Sequence, residues 1–511
     1  MLQNFTIDNL CKRFFSWFNK DRKVIFFVTF IVGLLVHFEL YSKELLAYDG
    51  YWHYGSFLAK GWEISLGRFL IPFTDLFRGS IVVSILTTIL SLIAISFASI
   101  YLNETLNIKK GYLKVLVSIL LVVTPTISLT LMYPYTATGY SMALLFSILS
   151  IYFLSKPKNI KNILLTIICI TATLGFYQAY LCVITVLFLM VYIFKIIENH
   201  KVSFKNFFID LGIILLGMII YYICLNIIVT ILNLTISDYS NGSSILSLDT
   251  IKNIFTSIKN TYITFYNFYF TDNIFNNLGW YRQILNSVLF VMIFINFITI
   301  IIQNKIYKNI GKLIILCIMI LIFPIFACAI ELIAQSRNIN LLMASALYLP
   351  IVVLLKQMEV LKFTKLNNIF CIFSFLICSI LLWTYILSNN ATYVATNLYN
   401  KQMYSVGNNI VEKLQENDEI TDDTPIAIVG KLNFSIQNDE LLNLTNFDVS
   451  DVNMWTWQIF LQDNLGLGRN ICTFDDVSFL YQSQEFLDMP IYPDENCIKV
   501  IDGIAVVKLS F

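Results

Sequence analysis

The sequence predicts a polytopic α-helical membrane protein of about eleven transmembrane helices, with a small α+β domain held outside the cytoplasm. Three observations predict it. Of 511 residues, 57% are hydrophobic and 13% are charged, against roughly 25% charged in soluble proteins, and mean hydropathy is +0.72. The apolar residues come in runs near the ~20 residues that cross a hydrocarbon core. The short segments between runs are alternately rich and poor in lysine. A soluble enzyme, a disordered chain and a disulfide-rich secreted scaffold are all excluded. Lys+Arg 34 against Asp+Glu 33 leaves a net charge of +1, so no global basic field points to a nucleic-acid partner.

The expected spans are roughly 24–41, 79–102, 115–134, 136–154, 162–177, 179–195, 207–232, 284–302, 313–333, 341–355 and 368–388. The fifth and sixth share one apolar run from Asn162 to Phe194, with the turn placed at Gly175-Phe176-Tyr177-Gln178; one long tilted helix is the competing reading. With the N-terminus inside, twenty lysines and arginines fall on inner segments, eight on outer loops and six in the tail. That asymmetry follows the positive-inside rule and makes the inner lysines topology signals. No small-residue cleavage site follows Tyr41, so the first span reads as an anchor.

Residues 1–388 then form the transmembrane domain, with outer loops at 42–78 and 233–283, and residues 389–511 an extracytoplasmic α+β domain. Asp249–Phe270 reads as an amphipathic surface helix. In the tail, Tyr399–Asn417 reads as helix. Pro425–Val429, Ile498–Ile501 and Ile504–Leu509 read as strands, the last two joined by an Asp502-Gly503 turn. Cys472 and Cys497 both fall in the tail, where a disulfide is chemically allowed.

The densest polar cluster near the membrane is the first outer loop, Tyr48-Asp49-Gly50-Tyr51-Trp52-His53-Tyr54-Gly55 followed by Gly61-Trp62-Glu63-Ile64-Ser65-Leu66-Gly67-Arg68. A carboxylate beside a low-dielectric medium is costly unless paired or used. Asp49 is the expected catalytic base, with Glu63 and Asp75 as candidates for a second acid. Gly50 is expected to turn the backbone so that the Asp49 carboxylate faces a pocket. Arg68, Arg282 and Arg337 stand at the expected membrane edge as phosphate forks; a salt bridge to Glu331 is the competing reading for Arg337. Six of seven tryptophans are placed at or near the outer face. Trp52, Trp62 and Trp280, with His53, Tyr177 and Gln178, are therefore candidates to contact a sugar or acceptor, and an interfacial aromatic belt is the alternative for the aromatics. No Cys-x-x-Cys, histidine pair at metal spacing, Walker loop or Gly-x-Ser-x-Gly occurs, so neither metal nor other cofactor is expected.

These residues resemble the first outer loop of the Gtr-type glucosyltransferase II family, bacterial membrane glycosyltransferases of the GT-C type. Phe176-Tyr177-Gln178-Ala179-Tyr180 and the ending Met489-Pro490-Ile491-Tyr492-Pro493…Ile501-Asp502-Gly503-Ile504-Ala505-Val506-Val507-Lys508-Leu509 are similar to it too, so the likeness runs from the first span to the end of the chain. One departure is that many members carry two adjacent acids where this chain has Asp49-Gly50. The resemblance implies a GT-C-like fold and transfer of a sugar, often glucose, from a polyprenyl-phosphate lipid. The acceptor would be a surface glycopolymer such as O-antigen, teichoic acid or another wall polysaccharide, and transfer would occur on the outer face of the bacterial cytoplasmic membrane. A polyprenyl-phosphate sugar synthase and a small flippase would supply the donor. A flippase or other transporter for lipid-linked oligosaccharides is the alternative, and a wall-polymer polymerase or an acyltransferase using His37 is a further one.

Overall fold

The computed structural model describes residues 6–53, 55–200, 203–237, 254–271, 280–333, 339–362, 364–432, 436, 438–447, 454–467, 471–472 and 477–510. Its helices, in chain order, are α1 Ile7–Trp17, α2 Lys20–Val36, α3 Ser84–Thr105, α4 Gly111–Val123, α5 Pro125–Leu131, α6 Pro134–Leu154, α7 Ile160–Phe176, α8 Leu181–Ile197, α9 Phe204–Ile231, α10 Ile254–Phe270, α11 Trp280–Gln303, α12 Ile310–Leu321, α13 Leu349–Val360 and α14 Lys365–Glu416, with shorter helical turns between them. Helix lies in every interval expected to span. Among the described residues, seven helices are long and apolar enough to cross a membrane alone, or eight if α4 and α5, bent by 46° at Thr124-Pro125, are one span. α7 and α12 are apolar but shorter.

The burial pattern is that of a protein solvated by lipid. Small polar residues point inward: Ser91, Ser96 and Ser99 of α3 are fully buried, and the Thr29 hydroxyl of α2 donates to Ser99 Oγ at 3.0 Å. Large apolar residues such as Ile223, Phe294, Ile314 and Leu321 face outward. Small residues let helix backbones approach where the medium gives no hydrophobic drive between helices, and so wide an apolar surface has no counterpart on a soluble monomer.

The long apolar run from Asn162 divides between α7 and α8 around a turn at Gln178–Tyr180. The carbonyl left over at Gly175 accepts the Leu70 backbone N–H at 2.9 Å, so the first loop caps this helix end. The α4–α5 break frees carbonyls in the bundle interior. His37 Nε2 lies 2.9 Å from Val122 O and its Nδ1 lies 2.6 Å from Tyr393 Oη. A carbonyl only accepts, so Nε2 carries the hydrogen and Nδ1 accepts from the tyrosine. Asn389 Nδ2 donates to Val123 O at 2.8 Å.

α14 has 52 residues, about 78 Å at 1.5 Å per residue, far beyond a ~30 Å hydrocarbon core. The expected last span and the expected tail helix are thus one rod, and position 388 falls inside it without a break. β1 Gly55–Ser56, in the first loop, pairs antiparallel with β2 Ile81–Val82, just beyond its end. In the tail, β3 Ile426–Val429, β4 Ile498–Ile501 and β5 Ile504–Lys508 form a sheet of order β3-β5-β4. β3 runs parallel to β5 and β4 antiparallel. Asp502 and Gly503 take φ of +49° and +77°, as a two-residue hairpin turn requires. The fully buried Lys508 ammonium donates to the carbonyls of Phe486, Leu487 and Met489 at 2.8, 3.2 and 2.6 Å. Cys472 and Cys497 are free thiols. The tail packs on the first loop: Leu46 and Tyr51 join its core, and the Tyr51 ring meets Phe460 edge-on at 6.3 Å.

His37→Leu should destabilise the protein by about 1–3 kcal/mol, because Val122 O and the Tyr393 hydroxyl lose their partner in an apolar surrounding. Thermal unfolding of the purified protein in detergent measures it; an unchanged midpoint would show that the broken helix does not need this bond.

Candidate active site

Asp49 lies in the helical turn Tyr48–His53. Its seat is built from below. Met132 O, at the end of α5, accepts the Ala47 N–H at 3.3 Å, and Gly50 N–H closes onto Ala47 O at 2.7 Å. A Cβ on Gly50 would stand 2.5 Å from Met132 O. Gly50 has no positive φ, so its service is close backbone approach, not the turning expected of it.

Arg68 is presented differently. Gly67 takes φ +83°, and a Cβ there would lie 2.4 Å from both Gln178 Nε2 and Tyr221 Oη. Those groups fix the turn: Gln178 Nε2 donates to Leu66 O at 2.8 Å and to Tyr221 Oη at 2.9 Å, and the Tyr221 hydroxyl donates to Gly67 O at 3.0 Å. The Arg68 guanidinium then lies over the Tyr177 ring at 5.0 Å and donates to Tyr140 Oη at 2.9 Å. Tyr140 and Tyr177 stack at 4.0 Å between centroids, 9° from parallel. The stack orients the cation without neutralising it, and Arg68 Nε bonds to no described residue.

Asp49, Arg68, Glu63, Tyr135 and Tyr140 are electrostatic neighbours. Asp49 is open to solvent, yet it sits in a recess. Loss of water raises its carboxyl above the ordinary range, and the Arg68 charge pulls it partly back. No described residue hydrogen-bonds to its carboxylate. Two other acids of the loop are committed, while Glu44 stands exposed. Glu63 is buried and accepts the Lys60 N–H at 2.9 Å. Asp75 accepts from Arg78 at 2.6 Å and from the Ala59 N–H at 2.9 Å, closing the 57–79 segment on itself. A free carboxylate and an oriented cation thus share one recess, where the first can accept a proton and the second can face an anion.

The remaining expected residues divide. His53 is half-buried with its ring 4.0 Å from Phe57 and 4.5 Å from Tyr135, at the edge of the recess. Trp62 is 56% exposed. Tyr177 is a wall and Gln178 a brace. Trp52 and Trp280 have described backbones only, and Arg337 lies outside the described residues. Arg282 stands apart from the Arg68 group. It is 1% exposed, donates to Ser388 Oγ, and feels Tyr348 and Tyr385; its Nε and Nη1 bond to no described residue. His37 is fully buried with both ring nitrogens engaged, which makes it a strut. Tyr135 and Tyr140 were not singled out from the sequence. Pro134 at the first turn of α6, placing two tyrosines at the start of the helix that follows α5, was the available signal.

The bundle with its loop-built recess is that of a polytopic membrane protein with an acid–cation site at one end. It belongs to the glucosyl transferase GtrII family, whose model matches residues 40–355, and is therefore a glycosyltransferase. The matched segment holds the whole recess and stops short of the tail. No curated protein and no solved structure matches the chain.

Gly67→Ala should cost more than ~1 kcal/mol, since φ is positive and the space is taken, and should cut transfer activity by displacing Arg68. A melting curve and an activity assay on the same preparation test it; full activity would mean that the turn does not govern the site.

Proposed function

We propose that the protein moves a hexose, glucose in the simplest case, from a polyprenyl-phosphate lipid to a hydroxyl of a cell-surface glycopolymer, at the outer face of the cytoplasmic membrane. The observation that carries this reading is the Asp49 carboxylate, unpaired among the described residues, beside the tyrosine-held Arg68. The acceptor oxygen attacks the anomeric carbon as the bond from that carbon to the phosphate oxygen breaks. The acceptor proton passes to Asp49. The leaving polyprenyl phosphate gains negative charge against the Arg68 guanidinium. One displacement inverts the anomeric centre. The polyprenyl chain would lie along the apolar flank of the bundle. Arg282, with two donor nitrogens that bond to no described residue, is the second candidate for the donor phosphate, and Trp62 and His53 for the sugar or acceptor. A transporter reading is less supported, because the Asp49–Arg68 pair lies in a loop at one end of the bundle and transporters place such groups at the midplane.

Asp49→Asn keeps the size and removes the basicity, so turnover of a labelled polyprenyl-phosphate sugar should fall about 10²–10⁴-fold while donor binding persists. Near-normal turnover would remove Asp49 from the base role. The pH profile gives an independent readout. The base must be ionised, so kcat/KM falls as pH drops through the Asp49 pKa. Burial sets that acid limb above an ordinary aspartate's ~3.9. Arg68 holds the pKa down, so Arg68→Gln should move the limb to higher pH, besides weakening donor binding. A limb that stays in place or moves down would separate the two residues.

Orientation has its own test. A cysteine placed at exposed Asp488 in a variant lacking exposed Cys11 and Cys317 should react with an impermeant thiol reagent in intact cells. Labelling only after permeabilisation would put the tail inside.

A further inference from the structure

At the end of the bundle opposite Asp49 lies a cavity of about 500 Å³, within the ~300–1,000 Å³ of small-molecule pockets. It opens between the ends of α3, α6 and α8, the start of α9, and α13. Its floor is charged, and one member of each ion pair there is buried. Lys356, 2% exposed, pairs with Glu198 at 2.9 Å. Asp210, 4% exposed, pairs with Lys158 at 2.9 Å and accepts the Tyr192 hydroxyl at 2.6 Å. Buried ion pairs cost desolvation, and ionisable groups set into an apolar bundle mark a site by default.

The lining does not balance. Its carboxylates are Glu104, Glu198 and Asp210. Glu104 is held from outside the cavity by Arg22 at 2.6 Å, and the other two are taken by Lys356 and Lys158. Lys156 and Lys195 remain. Their ammonium groups rest on the rings of Tyr152 and Tyr192 at 4.3 and 4.8 Å, and neither has an ion pair to a described residue. Two ammonium groups without an ion pair to a described residue, lining a cavity whose carboxylates are already paired, suit a dianion. The mouth adjoins the first turns of α9, where Phe204 and Phe208 are exposed and could carry an acyl chain.

We propose that this cavity is a second binding site, separate from the Asp49 recess, that takes a phosphate monoester group through Lys156 and Lys195. The group can arrive on a lipid or on a soluble molecule, and two probes separate these. Full-length protein in phosphatidylcholine nanodiscs is titrated with inorganic phosphate in one arm and doped with phosphatidic acid in the other; binding is read by native mass spectrometry and by the unfolding midpoint. At least one probe should bind saturably. Lys156→Gln/Lys195→Gln should weaken it about tenfold or more, as loss of charged hydrogen bonds does. Lys156→Arg/Lys195→Arg should restore it, and Arg68→Ala should leave it unchanged. Lys109→Gln/Lys161→Gln removes the same charge from exposed positions outside the cavity and should have little effect. Binding of phosphatidic acid alone identifies a lipid headgroup, and binding of inorganic phosphate a soluble ligand. Single Lys156→Gln, at an exposed position, serves if the double variant misfolds. The proposal is overturned if neither probe binds, if the glutamine variants bind as the parent does, or if the Lys109/Lys161 control loses as much as the cavity variant.

Discussion

The structure depends on how the bundle treats the break between α4 and α5. Pro125 has no N–H to continue the helix, and Thr124 is extended, so carbonyls near the end of α4 face a medium with no water to satisfy them. Side chains from two other helices supply the donors, His37 at the end of α2 and Asn389 halfway along α14. Each is held in turn: His37 by Tyr393, and Asn389 by Asn446 Nδ2 at 2.8 Å from its carbonyl oxygen. Three helices distant in sequence are thereby fixed to one point, and α14 leaves that point already aligned to carry the tail.

The recess inherits this order. Beyond the break, α5 ends at Met132, whose carbonyl is the seat of the Asp49 turn, and α6 follows with Tyr135 and Tyr140. The α7–α8 turn supplies Tyr177 for the Arg68 cation and Gln178 for the Gly67 turn. Asp49 and Arg68 therefore rest on different helices of one rigid frame. From the other side, Tyr51 and Leu46 anchor the same loop in the core of the tail. Preorganisation of this kind lets charged groups act without reorganising during reaction.

Much of this was legible because hydrophobic periodicity and turn chemistry are local. The helical intervals, the α7–α8 turn, the tail strands and the Asp502-Gly503 hairpin all follow from runs of a few to twenty residues. The polar weight of the first loop was legible too, and with it Asp49 and Arg68. The division of labour among its acids was not. Glu63 and Asp75 look as available as Asp49 in sequence; only three-dimensional neighbours, the Lys60 and Ala59 amides and Arg78, show that they are spent. Gly50 was read as a turn because its contact with Met132 joins positions more than eighty residues apart. The continuity of α14 was obscured by its composition, which changes from apolar to mixed although the backbone conformation does not. The lysines opposite Asp49 carried a topology signal in sequence, and nothing local distinguished those that converge on a cavity.

Unequal treatment of Asp49, Glu63 and Asp75 within one loop is itself a functional argument. A fold under pressure for stability alone would pair every carboxylate near an apolar boundary, and the loop contains donors that do so for two of them. Asp49 has Arg68 close enough to moderate its charge, yet the guanidinium is drawn to Tyr140 and Tyr177 instead of closing on it. A closed ion pair would leave neither group for a substrate. Holding the cation on π-faces keeps it from closing on Asp49, whose carboxyl stays above the ordinary range instead of being drawn down as a tightly paired carboxylate's would be. The tyrosine stack is therefore the element that keeps Asp49 and Arg68 from closing into a salt bridge, and its two rings come from segments that the α4–α5 break and the α7–α8 turn bring together.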